Sequence, residues 1–342
     1  MTTVAIIGTG LLGASIGLGL KAAGKIPNLE VVGSDRRQEH LRAARSMGAI
    51  DRAESDPAKA VRGAALVVLA VPVLGLYDVM EDVADALEPG AVVTDTGSTK
   101  TDVMRWAREL IPAETSFVGG HPMAGKTDSG PSAATADLFQ NAQWILVPSV
   151  NASEGAVTAV AGLAESLGAK PRYMDAEEHD AYVAAISHLP LMASTALFRL
   201  TRDSEAWPEM SLLAAGGFKD TTRVAGTHPD MAHDIVVTNR TQIIHWLERY
   251  RESLRELQQR IADVEDEEGL YRYLAQTSME HDAFMSGQVG RVEVDQKGNM
   301  PEGGMDDFIF GSYIAERMRD ITKRSEDRLA EREREEQMRR EH

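Results

Sequence analysis

The chain of 342 residues contains no cysteine, which excludes disulfide bonds, thiolate metal ligands and a cysteine nucleophile. It also has no stretch of 18 uninterrupted apolar residues, and on that ground we expect no membrane-spanning segment. The N-terminus lacks the basic stretch of a signal peptide, and its apolar run is typical of a strand. These absences together predict a cytoplasmic protein without a bound metal.

Positive charge is in short supply. The chain has 36 Lys and Arg residues against 53 Asp and Glu residues, a formal net charge of −17. An acidic surface repels nucleic acid and anionic membranes, so we expect neither as a partner. A small anionic substrate would need a local basic group to hold it.

Six short apolar runs, most of them rich in β-branched residues, alternate with helix-length segments in the first half of the chain. The runs cover residues 4–8, 30–35, 65–72, 91–98, 116–120 and 143–148. Near-continuous apolar strands separated by helices are typical of a parallel sheet with helices on both faces. The sequence therefore predicts a doubly wound α/β fold in this part.

Strand-like runs disappear after about residue 175, and helical periodicity takes over. We predict a sheet domain over 1–175, an all-helical domain over 176–286, and a linker with a charged helical tail over 287–342. Within 231–261, apolar residues recur every three or four positions: Ile243, Trp246, Leu247, Tyr250, Leu254, Leu257 and Ile261. Such a stripe packs either in the chain's own core or against a second subunit, and the spacing favours neither.

A glycine-rich turn follows the first predicted strand and opens the first predicted helix. Gly8, Gly10 and Gly13 fit the pattern G-x-G-x-x-G, with Leu11 and Leu12 between the last two. The three glycines suit a tight turn, a close approach to a pyrophosphate, and close packing of helix on strand, respectively. This context predicts a dinucleotide-binding (Rossmann) domain whose cofactor phosphates lie at the start of the helix.

The choice of cofactor depends on the end of the second strand. Asp35 stands 22 residues after Gly13, where a carboxylate accepts hydrogen bonds from the adenosine ribose. Its charge favours NAD, whereas the neighbouring Arg36 leaves NADP open because it suits a 2′-phosphate. Val71 and Pro72, at the end of the run 65–72, complete the predicted cofactor-binding set.

Several longer motifs carry more information than the glycine turn. They are DTGSTK at 95–100, FVGGHPMAG at 117–125 followed by SG at 129–130 and LF at 138–139, ISHLP at 186–190, and GFKDTTR at 217–223. In this order they resemble the prephenate/arogenate dehydrogenase family of tyrosine biosynthesis, over about residues 4–260. The resemblance implies a homodimer whose helical domain provides the dimer contacts.

The family resemblance also implies a reaction and a base. The expected reaction is the oxidative decarboxylation of prephenate to 4-hydroxyphenylpyruvate, with hydride transfer to NAD. His121 matches the catalytic histidine, and imidazole suits proton transfer near neutral pH. Ser98 matches the serine that hydrogen-bonds this histidine. Without the resemblance, a histidine before proline in a glycine-rich run is equally well read as a turn residue.

The resemblance places four residues in the substrate pocket: Ser187, His188, Arg223 and Thr127. The fork of Arg223 suits a substrate carboxylate and supplies the local positive charge that an acidic protein needs. Taken alone, His188 is more simply a core histidine, and Arg223 a surface partner of Asp220. We expect Lys100, at the end of the DTGSTK motif, to contribute only to the electrostatic background of the site, without a specific role.

Departures from the family pattern bear on the substrate. Thr127 stands where many members have an acidic residue, and Ala232 where many have tryptophan. The loss of an acid tilts the choice toward prephenate and away from arogenate, whose side chain carries an ammonium group. A β-hydroxyacid dehydrogenase is a further alternative, but the sequence lacks a glycine-rich lysine motif. A non-enzymatic nucleotide sensor has little support.

Overall fold

The computed structural model describes residues 2–125 and 128–287. The chain divides into two compact units, Met1–Arg249 and Tyr250–His342. Two earlier expectations lie outside the described residues: the substrate contact of Thr127, and the linker and tail beyond residue 287.

An eight-stranded sheet organises the first unit, in the order β3-β2-β1-β4-β5-β6-β7-β8. The strands are β1 (Thr2–Ile7), β2 (Leu29–Ser34), β3 (Arg52–Glu54), β4 (Leu66–Leu69), β5 (Val92–Asp95), β6 (Ser116–Pro122), β7 (Gln143–Pro148) and β8 (Lys170–Tyr173). The first six run parallel. This order reverses direction between β1 and β4, as in doubly wound nucleotide-binding sheets, so the predicted fold class is confirmed.

Helices cover both faces of the sheet. They are α1 (Leu11–Ala23), α2 (Gln38–Ser46), α3 (Pro57–Val61), α4 (Gly75–Ala84), α5 (Thr101–Leu110) and α6 (Glu154–Ser166). Along β1, Val4 and Ile6 pack in one core with α1, α2 and α6, whereas Ala5 and Ile7 face the other core with α3, α4 and α5. Because both faces are buried, each strand needs apolar residues at successive positions.

The end of the sheet differs from the all-parallel expectation. β7 runs antiparallel to β6, and β8 runs parallel to β7. Between β6 and β7 the described residues form only a short 3₁₀ turn, Pro131–Ala133, and no crossover helix. A parallel connection needs a crossover of a dozen or more residues that is usually helical, so the chain reverses here instead.

Helices follow the sheet. They are α7 (Ala176–Val183), α8 (Leu189–Arg202), α9 (Trp207–Leu213), α10 (Gly216–Thr222), α11 (Pro229–Thr238), α12 (Arg240–Ala262) and α13 (Glu267–Met285). A π-helical turn, Ala184–His188, joins α7 to α8 just before Pro190. Because proline lacks an N–H, the regular hydrogen-bond ladder is interrupted here, and the π turn absorbs the interruption.

The apolar stripe of 231–261 is divided between two settings. Asn239 separates α11 from α12, and Ile243 is buried in a small core with Leu191 and Ile235. In the second unit, Leu254 and Ile261 of the same stripe keep 47% and 61% of their surface exposed. The N-terminal part of the stripe therefore belongs to the chain's own core.

One described stretch, Ala176–Arg202, is long and apolar enough by length and composition to cross a membrane, with a mean hydropathy of 1.4. The earlier expectation counted uninterrupted apolar residues and so missed it. Only 28% of its apolar window is buried. Its polar side chains at His179, Asp180 and His188 are buried against the rest of the first unit, as expected of a helix that helps to build a site.

Candidate active site

The glycine turn has the geometry that a bound dinucleotide requires. Gly8 has a φ of +97°, and a Cβ on it would lie 2.3 Å from the carbonyl oxygen of Ala70. A Cβ on Gly13 would lie 1.9 Å from the carbonyl oxygen of Gly8, so α1 packs directly on the end of β1. Only Gly10 faces open space, with no atom within 4 Å of a Cβ position. It begins α1 without a side-chain cap, which leaves N–H groups available for a phosphate.

Asp35 holds this turn in place from the end of β2. Its Oδ2 accepts hydrogen bonds from Thr9 N at 2.8 Å and Thr9 Oγ1 at 3.1 Å. His40 Nδ1 lies 3.3 Å from the same oxygen, and Arg37 N donates to Oδ1 at 2.9 Å. The adjacent Arg36 is exposed. The carboxylate therefore organises the loop as well as standing where a ribose would bind.

The ends of β1 and β4 meet beside Gly8. Val71 lines this contact, with its Cγ1 2.9 Å from the Gly8 Cβ position, and Pro72 is exposed at the same edge. Ligands of doubly wound sheets bind at this carboxyl edge, where the strand order reverses. The open space at Gly10 and the tight contacts at Gly8 and Gly13 thus fit a dinucleotide.

A buried ion pair supports the neighbouring strand ends. Asp95 closes β5, and its carboxylate accepts hydrogen bonds from Lys100 Nζ, from Gly97 N at 2.7 Å and from Gly120 N at 3.0 Å. Both Asp95 and Lys100 are fully buried. Burial lowers the pKa of Lys100, although the charge of Asp95 opposes that shift. Lys100 is therefore a structural partner of the site, which corrects its expected role as background.

His121 stands at the end of β6, on the same carboxyl edge as the glycine turn. Its Nδ1 lies 2.8 Å from Nε2 of His179, and Nδ1 of His179 lies 2.8 Å from Oδ1 of Asp180. The two imidazole rings meet edge to face, with centroids 5.0 Å apart. Sheet and helical segment thus share one line of hydrogen bonds, although these residues lie 58 positions apart in the chain.

Asp180 is anchored by more than His179. Backbone N–H groups of Lys100 and Thr101 donate to its two oxygens at 2.8 and 2.9 Å, at the start of α5. Burial alone would raise the pKa of Asp180, but hydrogen bonds from His179, Thr101 and Lys100 lower it below its ordinary value. An ionised carboxylate at a helix N-terminus is also favoured by the helix dipole.

His121 is held as a neutral imidazole. Burial lowers its pKa well below the usual 6.5, and the nearby His179, Lys100 and His188 lower it further. A neutral ring near pH 7 is the form that accepts a proton. The arrangement therefore equips His121 to act as a general base.

His188 is buried at the end of the π turn. Asn239 Nδ2 lies 3.2 Å from its Nδ1, and the same amide donates to the carbonyl oxygen of Asp180 at 2.7 Å. Burial lowers the pKa of His188 to about 4, with His179 adding to the shift and Asp180 opposing it. Since the Asn239 amide donates to Nδ1, neutral His188 carries its proton on Nε2. That buried nitrogen has no hydrogen-bond partner among the described residues.

The remaining predicted site residues are less tightly placed. Ser98 is partly buried, but no hydrogen bond joins it to His121 in the described part of the chain, where Nδ1 is paired with His179. Ser187 is exposed on the π turn. Arg223 is exposed at the end of α10, and the described residues show no ion pair between it and Asp220, which was the alternative to a substrate-binding role. Residues 2–125 and 128–287 hold no group of three side chains suited to a metal ion.

Sequence reasoning missed His179, Asp180 and Asn239. A signal for the first two was present, because a His-Asp pair stands in the predicted helical segment nine positions before His188. Asn239 gave none, since an asparagine between two helices is an ordinary breaker.

Comparisons with known proteins agree with this geometry. Two family models match the chain: the nucleotide-binding domain of prephenate dehydrogenase over residues 16–173, and its dimerization domain over residues 175–276. The prephenate dehydrogenase of Bacillus subtilis (strain 168) is 35% identical over 294 residues, which covers 85% of this chain and 78% of that protein.

Solved structures extend the likeness to three dimensions. Prephenate dehydrogenase from A. aeolicus, in complex with hydroxyphenyl propionate and NAD+, has a TM-score of 0.76 and 28% identity, covering 83% of this chain and 98% of that one. Synechocystis arogenate dehydrogenase has a TM-score of 0.70 and 29% identity, covering 83% and 100%. These relatives act on two different substrates, so the likeness alone leaves the substrate to be argued.

Proposed function

The chain belongs to the prephenate dehydrogenase family, and on this premise we propose that it oxidatively decarboxylates prephenate to 4-hydroxyphenylpyruvate with NAD. The observation that carries the proposal is the position of His121. Its neutral imidazole stands at the carboxyl edge of β6, which is separated by the two strands β4 and β5 from β1 and its glycine turn. A base and a dinucleotide site on one edge are what dehydrogenation of an alcohol needs.

In the proposed reaction His121 accepts the proton of the substrate hydroxyl group. NAD, which the glycine turn from Gly8 to Gly13 would hold, would supply the acceptor for the hydride of the ring carbon that carries this hydroxyl. The bond between the ring and its carboxylate breaks, carbon dioxide leaves, and the electron pair of that bond completes the aromatic ring. His121 then returns its proton to the phenolate oxygen, which restores the neutral base.

Substrate binding is assigned to Arg223, His188, Ser187 and Thr127. The exposed guanidinium of Arg223 offers a carboxylate a bidentate partner in a chain of net charge −17. Neutral His188 offers its unpaired Nε2–H as a donor. Ser98 remains a proposed site residue near the base, on the strength of its match to the family serine.

We propose NAD over NADP because of Asp35. Its carboxylate, anchored to Thr9, would repel a 2′-phosphate and accept bonds from an unmodified ribose. The proposed cofactor contacts are Gly8, Gly10, Leu11, Leu12, Gly13, Asp35, Arg36, Val71 and Pro72.

A homodimer is the proposed assembly, in agreement with the dimerization-domain match. Ile186 on the π turn, Leu200 on α8 and Leu212 on α9 expose 69%, 76% and 85% of their surface. Such a concentration of exposed apolar side chains is typical of a surface covered by a partner. The expected result by analytical ultracentrifugation is a dimer at micromolar concentration that Leu212→Glu weakens; a monomeric wild type contradicts the assembly.

The three-part division at 175/176 and 286/287 stays part of the proposal, and the family matches meet at 173 and 175 in support. We also propose a cytoplasmic location, in keeping with the absence of cysteine.

A matrix of substrates and cofactors tests the function. Prephenate, arogenate and a small β-hydroxyacid are each assayed with NAD and with NADP, following nicotinamide reduction spectrophotometrically. We expect the highest kcat/KM for prephenate with NAD. A preference for arogenate would reassign the substrate, and turnover of the hydroxyacid alone would overturn the proposed function.

A further inference from the structure

The hydrogen-bond chain from His121 through His179 to Asp180 has a direction. Asp180 receives N–H groups from the backbone of Lys100 and Thr101, which donate and never accept. Its oxygens therefore act as acceptors at this site. The third contact, at 2.8 Å from His179 Nδ1, is consequently a bond that His179 donates.

The direction of the bond from His179 to Asp180 determines the direction of the bond between His179 and His121. A neutral imidazole carries one proton, so a His179 ring that donates from Nδ1 has an unprotonated Nε2. That Nε2 lies 2.8 Å from Nδ1 of His121 and serves there as an acceptor. His121 must then carry its proton on Nδ1, which leaves the lone pair on Nε2.

We infer that His179 and Asp180 are positioning residues that fix the tautomer of His121, so that its Nε2 is the atom that receives the substrate proton. The inference rests on the proposed function for the catalytic role of His121, but the tautomer itself is a property of the protein alone. The principle resembles that of serine-protease triads, where a buried carboxylate holds the tautomer of a catalytic histidine. Here a second imidazole stands between carboxylate and base.

The surroundings support this direction. His179 and Asp180 expose 1% and 3% of their surface, so water does not compete for these bonds. The hydrogen bonds that lower the pKa of Asp180 keep it an acceptor near neutral pH. Reversing the chain would turn the lone pair of His179 Nδ1 toward a carboxylate at 2.8 Å, an arrangement of two acceptors without a proton between them.

Two substitutions separate this role from simple packing. In His179→Gln, the side-chain amide can still accept from His121 Nδ1 with its oxygen and donate to Asp180 with its nitrogen. In His179→Phe, the ring shape is retained but both hydrogen bonds are lost. A buried position that matters only for packing tolerates Phe better than Gln, because the amide is costly to bury. A tautomer relay tolerates Gln better than Phe.

The experiment combines nitrogen NMR with steady-state kinetics on the full chain. In protein labelled with ¹⁵N-histidine at pH 7.5, the side-chain spectrum shows which ring nitrogen of His121 is protonated, with assignment by loss of the signal in His121→Asn. We expect the Nδ1–H form in the wild type and in His179→Gln, and a shift toward Nε2–H in His179→Phe. The exposed His281 provides the control His281→Phe, which should lose only the signals of His281 and leave the His121 signals and the rate unchanged.

The kinetic arm measures kcat for prephenate and the Kd for NAD. We expect a kcat within about tenfold of wild type for His179→Gln and at least about 100-fold lower for His179→Phe, with the Kd for NAD unchanged in both. A faster Phe than Gln variant, or a wild-type His121 protonated on Nε2, overturns the inference. A wild type that fails to turn over prephenate but shows the Nδ1–H form refutes the proposed function and leaves the relay standing. The wild-type spectrum needs no variant, so misfolding of a variant cannot hide the answer.

Discussion

The cofactor edge and the surroundings of the base are built in different ways. At the cofactor edge, six consecutive residues, Gly8 to Gly13, form the turn, which packs against Ala70 and is hydrogen-bonded by Asp35. Around the base, His121 depends on His179, Asp180 and Asn239, which come from helices far along the chain. The conformation of the glycine turn is specified by residues close together in the sequence. The hydrogen bonds of His121, in contrast, form only when the helical segment folds against the sheet.

The largest effect is expected at the glycine turn of the cofactor edge. Gly13→Ala puts a Cβ 1.9 Å from a backbone oxygen that cannot move away, so we expect a loss of about 3 kcal/mol or more of unfolding free energy. The matched variant Gly10→Ala has open space and should keep its stability but bind NAD at least about tenfold more weakly. Urea unfolding and calorimetric titration measure the two quantities. Equal loss of stability in both variants would contradict the assigned roles.

The second prediction concerns His188, near the base, and the dependence of the unfolding free energy on pH. The pKa of His188 is about 4 in the folded chain, against about 6.5 for a free imidazole. Since the unfolded chain binds the proton first, the contribution of neutral His188 is complete above pH 6.5 and is lost as pH falls toward 4. The loss at this residue amounts to about 3 kcal/mol.

Urea unfolding at pH 7.5, 6.0 and 4.5 measures this dependence, with His188→Asn as the matched variant. The difference in stability between wild type and variant should shrink as the pH falls. A difference that stays constant over this range would show that His188 does not titrate as its burial implies.

A third effect tests the proposed substrate contact. Arg223→Ala removes the guanidinium from an exposed position, so we expect folding to be preserved and the KM for prephenate to rise about 10- to 100-fold. Arg223→Lys should recover part of this loss because it keeps the charge without the fork. An unchanged KM for Arg223→Ala would remove this residue from the site.

The smallest effect is expected at Asp35. Asp35→Asn removes the negative charge but keeps an oxygen that can accept from Thr9 N, so the turn should remain folded. We expect the preference for NAD over NADP to fall by about tenfold, from about 1.4 kcal/mol of lost discrimination. Initial rates with both cofactors give this ratio; a ratio equal to that of the wild type would contradict the assignment.

The cofactor edge could be predicted from the sequence, whereas the surroundings of the base could not. The strand-turn-helix at Gly8 to Gly13 and the acidic end of β2 could be predicted, because the glycine spacing and the carboxylate 22 residues after Gly13 form a recognisable sequence pattern. The reversal of β7 was missed, since an apolar strand looks alike in either direction. The partners of His121 were missed because hydrogen bonds between residues 58 apart leave no periodic signal.

The buried ion pair of Lys100 and Asp95 could not be predicted from the sequence either. Both residues stand in a polar motif, DTGSTK, that reads as an exposed loop. Only the three-dimensional fold shows that the carboxylate of Asp95 joins the ends of β5 and β6 through Gly120.

Removal of the base tests the central claim most directly. For His121→Asn, single-turnover kinetics with prephenate and NAD should show a rate at least about 100-fold below wild type, while the Kd for NAD measured by calorimetry stays the same. A near-normal rate with unchanged NAD binding would contradict the claim that His121 accepts the substrate proton.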